Sequence, residues 1–81
     1  MSKETIEKKI IELCAKTYQK ESNEITLATN FQEDLSPNSI LRVGLSANIE
    51  EELDVMIPLP ELSKFKTVGD LTEYVINVAT E

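Results

Sequence analysis

Residues 37–58 read PNSILRVGLSANIEEELDVMIP: a turn former, an asparagine, a mostly apolar run, a block of carboxylates and a closing proline. Asn38 is a strong helix cap, and the apolar residues after it recur with helical spacing, which predicts a helix from Ser39 to about Leu53. A helical wheel puts Ile40, Val43, Ser46, Ile49 and Leu53 on its inner side and Leu41, Gly44, Asn48, Glu51 and Glu52 on its outer side. Ser39 then stands on the first turn, at an exposed junction with a loop. A phosphate ester on its hydroxyl would place an anion at the positive end of the helix, where N–H groups favour negative charge. Asn and Ser are also the commonest helix-start residues, so Asn38-Ser39-Ile40 taken alone is a plain cap. The context decides between the two.

Working outward, residues 4–20 place Ile6, Ile10, Leu13 and Thr17 along one helical face, with Cys14 at its edge as a small packed hydrophobe. Residues 21–38 form a long connection with turn formers at Ser22, Asn23, Asn30, Ser36 and Pro37. Ile25, Leu27, Phe31 and Leu35 recur within it often enough to pin it to a core, so it is expected to be ordered. On the other side, Pro58 and Pro60 confine a short helix or turn to about 59–64. Thr67 caps a last helix with Asp70 three residues on, a capping-box-like pattern, and that helix should bury Val68, Leu71, Tyr74, Val75 and Val78. Strand-like alternation is absent. The expectation is one all-α domain over 1–81, a bundle of three main helices and one short helix.

Composition narrows the function. The chain has 81 residues and a net charge of −7. Nucleic acid is an unexpected partner for such a chain, because phosphate binding needs clustered Lys or Arg; partners with basic surfaces are favoured instead. Residues 33–54 hold six carboxylates (Glu33, Asp34, Glu50, Glu51, Glu52, Asp54) against the single cation Arg42, so the acidity gathers around Ser39. With no histidine and one cysteine, a His-based triad, a thiolate metal cage and an internal disulfide are excluded. The lone cysteine fits a reducing cytoplasm. No apolar run spans a membrane, and the N-terminus lacks the apolar segment of a secretory signal.

In order and spacing these features resemble the acyl carrier proteins over essentially the whole chain. Phe31-Gln32-Glu33-Asp34-Leu35 matches the family's F-x-E-D-L, Asn38-Ser39-Ile40 its D-S-L, and Glu50-Glu51-Glu52-Leu53-Asp54 its E-E-E-F-D, followed by Ile57-Pro58 and by Thr67-Val68 at the last helix. The resemblance implies a 4′-phosphopantetheine arm, transferred from coenzyme A to Ser39 by a phosphopantetheinyl transferase, with Asn38 capping the helix beside it. The arm's thiol would hold acyl groups as thioesters, for fatty-acid or specialised lipid or polyketide biosynthesis. The protein, a monomer and no enzyme, would supply position and recognition. It also implies a docking surface for partner enzymes with basic faces, drawn from Glu33 and Asp34 in the loop and from Ile40, Leu41, Arg42, Gly44, Ala47, Glu50, Glu51 and Asp54.

The chain departs from the family at several of these positions. Asn38 replaces the usual Asp, which keeps the cap and removes a charge beside the serine. Leu41 and Gly44 stand where fatty-acid carriers are acidic, and Arg42 adds a cation. Two readings of these positions stay open: drift on a tolerant surface, or Leu41 as an apolar contact and Gly44 as a point of close approach for a dedicated partner, Gly44 costing about 0.5–1 kcal/mol relative to Ala in a helix interior. Ser46 is placed to bond back to a carbonyl one turn earlier. Two other readings stay open: an aminoacyl or peptidyl carrier, and an unmodified helical module that only binds proteins.

Overall fold

A computed structural model describes residues 2–79 apart from Ser36 and Pro37, and of Ser39 only the backbone. Helix α1 (Lys3–Tyr18) starts at Ser2, whose Oγ accepts from the Thr5 N–H at 3.1 Å. It ends where Gln19 turns left-handed at φ 57°. A single 3₁₀ turn, Ser22–Glu24, interrupts the long connection. Helix α2 (Ser39–Leu53) ends the same way, Asp54 turning left-handed at φ 56° and donating its N–H to the Glu50 carbonyl. Pro58 and Pro60 bracket the start of α3 (Leu59–Leu62), and α4 (Val68–Ala79) closes the bundle. The predicted capping box at α4 is present: Thr67 Oγ1 accepts from Asp70 N–H at 3.2 Å while Asp70 Oδ2 accepts from Thr67 N–H at 3.3 Å.

The 21–38 connection is ordered, as its apolar residues predict, and its own polar groups show how. Asn30 Oδ1 accepts from the N–H groups of Gln32 and Glu33, and Asp34 Oδ2 accepts from Asn30 N–H. Backbone bonds then strap the loop to the start of α4: Phe31 N–H to Lys66 O, Val68 N–H to Thr29 O, and Gly69 N–H to Leu27 O at 2.8 Å. This makes one isolated antiparallel bridge between Asn30 and Thr67, and no strand forms among the described residues. Ile25, Phe31 and Leu35 are buried, whereas Leu27 is partly exposed because its backbone makes the contact with α4.

The core is built from Ile6, Ile10, Leu13 and Cys14 of α1, Leu45, Ile49 and Leu53 of α2, and Val68, Leu71 and Val75 of α4. Cys14 is fully buried in it, as a small packed hydrophobe should be, and Val78, near the end of α4, is partly exposed rather than buried.

The larger correction concerns α2. Ile40 and Val43, expected on the inner side, are 76% and 47% exposed, while Leu45 is fully buried. Leu41, Gly44 and Asn48, expected on the outer side, turn inward: Leu41 packs on the core and Asn48 Nδ2 donates to Thr17 Oγ1 of α1 at 3.0 Å. Gly44 faces α1 across a gap in which an added Cβ would meet only Thr17 Cγ2, at 4.0 Å. The first two turns of α2 are apolar nearly all the way round, so apolar spacing there fits two stripes. Leu45, Ile49 and Leu53, at i, i+4 and i+8, form the one that α1 can cover.

Candidate functional site

The start of α2 is the candidate site. Asn38, in extended conformation, accepts the Ile40 N–H on its Oδ1 at 2.9 Å, and its carbonyl accepts from Leu41 N–H at 3.1 Å. Ser39 is the first helical residue; its side chain lies outside the described atoms. No acidic residue occupies the first turn of α2. The cap therefore satisfies a backbone donor with a neutral amide and leaves the positive end of the helix uncancelled. Asn38 and Ile40 on either side of Ser39 are both exposed. A phosphodiester fits this setting: an anion meets a positive helix end in open surroundings.

Around this point the predicted docking residues separate. Glu33, Asp34, Ile40, Ala47, Glu50, Glu51 and Asp54 are exposed. Leu41, Arg42 and Gly44 are not on that outward surface, because they lie on the side of α2 that meets the rest of the bundle. Val43, assigned to the core from its spacing, joins Ile40 and Ala47 as an outward apolar stripe. Met56 and Leu59, just beyond α2, are 68% and 61% exposed. Nothing in the spacing singles these two out; the signal is their position beside prolines, where the chain has no helix face to bury.

Arg42 is instead a structural hub. Its guanidinium lies 4.9 Å over the Phe31 ring, and one of its terminal nitrogens donates to the Leu62 carbonyl at 3.3 Å, tying α2 to the loop and to α3. Tyr18 packs on the same Phe31, with ring centroids 6.3 Å apart. The Tyr18 hydroxyl is buried without an ordinary hydrogen bond among the described residues. Burial pushes its pKa up, and the nearby positive charge of Arg42 pulls the other way. Ser46 donates to the Val43 carbonyl at 2.8 Å, one turn back as expected.

Glu50, Glu51, Glu52 and Asp54 crowd the C-terminal end of α2, where the helix dipole disfavours negative charge, and none has an ion-pair partner among the described residues. Cys14 is buried, and burial pushes its thiol up to about 12. It is inert at neutral pH. No group of three or more metal-binding side chains is assembled, and no helix is long and apolar enough to cross a membrane, among the described residues.

A bundle of this kind presents a helix start and an acidic, partly apolar face. Residues 8–75 match the family model for the phosphopantetheine attachment site. An acyl carrier protein of Porphyromonas gingivalis is 36% identical over 70 residues, covering 86% of this chain and 90% of that protein. One from Lactobacillus acidophilus is 40% identical over 75 residues, covering 93% and 94%, and one from Rickettsia canadensis 40% over 70 residues, covering 86% and 81%. The chain belongs to the phosphopantetheine-attachment family and is an acyl carrier protein within it. That family carries a 4′-phosphopantetheine group and is served by a phosphopantetheinyl transferase and by acyl-handling enzymes; its members are carriers, not catalysts.

Proposed function

We propose that Ser39 is the attachment residue and that the loaded arm delivers acyl thioesters in fatty-acid biosynthesis or in a specialised lipid or polyketide route. The observation that carries the reading is the start of α2: a neutral amide cap, no acid in the first turn and exposed neighbours, so the helix end remains positive where an anion would be tethered. The arm supplies the thiol on which acyl groups travel. The protein's part is to hold the attachment point at an exposed helix start and to present a surface to each enzyme. That surface is the outward side of α2, with Ile40, Val43 and Ala47 as its apolar stripe, Glu50, Glu51 and Asp54 at its far end, and Glu33 and Asp34 flanking it from the loop. Charges of this kind speed encounter with a basic partner and select among partners more than they tighten the complex. A one-domain monomer suits this role, because the same face must be released from one enzyme before it meets the next.

Intact mass after incubation with coenzyme A and a broad-specificity phosphopantetheinyl transferase tests the assignment. A gain of one phosphopantetheine, lost in Ser39→Ala, is expected. No gain in a folded protein would leave an unmodified binding module as the reading.

A further inference from the structure

We propose that the cavity walled by Arg42, Lys64 and Lys66 receives a glutamate or aspartate side chain of a partner protein, so that the chain selects partners whose basic docking surface carries an inset acidic residue. The inference deepens the carrier reading above by naming a feature of the partner. In a chain of net charge −7, three of the eight basic side chains line one cavity of about 490 Å³. Arg42 comes from α2, and Lys64 and Lys66 from the segment between α3 and α4. Glu33 lines the same cavity, yet neither Arg42 nor Lys66 has an ion-pair partner among the described residues. Lys64 has one, an exposed pair with Glu61 at 3.4 Å, which contributes little and is easily given up.

The Arg42 guanidinium is already held, stacked on Phe31 and bonded to the Leu62 carbonyl. It has further N–H donors beyond that bond, and a group fixed in this way loses little freedom when a carboxylate arrives. Phe65 supplies an apolar wall for the methylenes of an acidic side chain. A free small anion gains little here, because Lys64 and Lys66 are exposed and screened by salt, and Glu33 opposes it. A carboxylate on a protein surface arrives tethered. Its basic neighbours meet Glu33, and Asp34 next to it in the loop, in the same encounter. A partner face that is basic throughout would instead press like charges against three cations, and that clash lowers affinity. The acidic end of α2 attracts any basic surface; the cationic cavity distinguishes one basic surface from another.

The test titrates the full unmodified chain, isotope-labelled, with three probes and follows the backbone amides and the Arg42 Nε–H by heteronuclear NMR. The probes are the capped peptide Ac-Lys-Ala-Glu-Ala-Lys-NH2, its Glu→Gln counterpart, and inorganic phosphate. The net charge of the chain by itself favours the more positive Gln peptide, so the opposite preference reports on the cavity. The Glu peptide is expected to bind about three- to tenfold more tightly than the Gln peptide, as a few exposed charge pairs supply. It should shift the Arg42 Nε–H and the amides of Lys64 and Lys66. The preference should be lost in the double variant Lys64→Gln, Lys66→Gln, which changes two exposed side chains. Equal or weaker binding of the Glu peptide, shifts confined to other faces, or a preference that survives in the double variant overturns the proposal. So does phosphate that shifts the same resonances at lower concentration than the Glu peptide, which would make the cavity a site for a free anion. Because the titration uses the unmodified chain, the two readings fail separately: an absent mass gain on loading overturns the carrier reading alone.

Discussion

At the scale of single residues, Cys14 and Asn38 carry opposite lessons about charge. The Cys14 thiol is fully buried and keeps its proton in the folded chain up to about pH 12. An unfolded cysteine releases it near pH 8.5. Above that value the unfolded state is the one that has lost a proton, so stability falls as pH rises, by about 1.4 kcal/mol per unit until the folded pKa is reached. Denaturant midpoints measured on either side of pH 9 should therefore drop more steeply for the wild type than for Cys14→Ala, and parallel slopes would refute the assignment. The same burial makes Cys14 silent to thiol reagents in the native state, so the holo form should titrate one thiol and the apo form none. Asn38 works through a charge it lacks. Asn38→Asp should stabilise the unmodified protein by about 0.3–1 kcal/mol through the helix dipole. The gain should shrink once a phosphate stands on the next residue, because the two anions then share one helix end. Unfolding curves of apo and holo forms of both proteins read this directly.

At the scale of elements, the two glycines separate what packing requires from what it tolerates. An added Cβ at Gly69 would lie 2.8 Å from the Leu27 carbonyl oxygen, on the backbone strap that holds the long loop to α4. Gly69→Ala should cost about 1–3 kcal/mol, since a backbone atom must move. Gly44 has open space around it, and Gly44→Ala should gain about 0.5–1 kcal/mol from helix propensity alone. Chemical denaturation of the two variants should move the midpoint in opposite directions. Neither role of glycine was readable from the chain, where Gly44 looked like a point of approach for a partner. The caps were readable, because Asn38, Thr67 and Asp70 act on backbone groups two or three residues away and local spacing encodes that. So was the order of the long loop, from its buried Ile25, Phe31 and Leu35. The rotation of α2 was not. With apolar residues around its first two turns, only the position of α1 decides that Leu45 goes in and Ile40 and Val43 stay out. Nor was the anchoring of Arg42, whose partners, Phe31 and the Leu62 carbonyl, lie eleven and twenty positions away in the chain.

At the scale of the whole molecule, the distribution of charge ties stability to recognition. The carboxylates Glu50, Glu51, Glu52 and Asp54 sit together at the negative end of α2 without ion-pair partners among the described residues, an arrangement that local energetics disfavours. Lys64 and Lys66 line a cavity with Arg42 instead. An acidic end left unpaired in the free protein is available to a basic partner, and its repulsion is relieved when that partner arrives. The rate at which a phosphopantetheinyl transferase loads the chain should accordingly fall about tenfold between low and physiological salt, as expected for electrostatically steered encounter. Replacing Glu50, Glu51 and Asp54 by their amides should slow loading at low salt, flatten the salt dependence and raise the melting temperature together. A variant that melts higher yet loads with unchanged salt dependence would show that the acidic end serves some purpose other than steering. A variant that loads more slowly without melting higher would show that the crowding costs the fold nothing. Only the paired change, slower and more stable, fits a surface held in an unfavourable charge state for the sake of its partner.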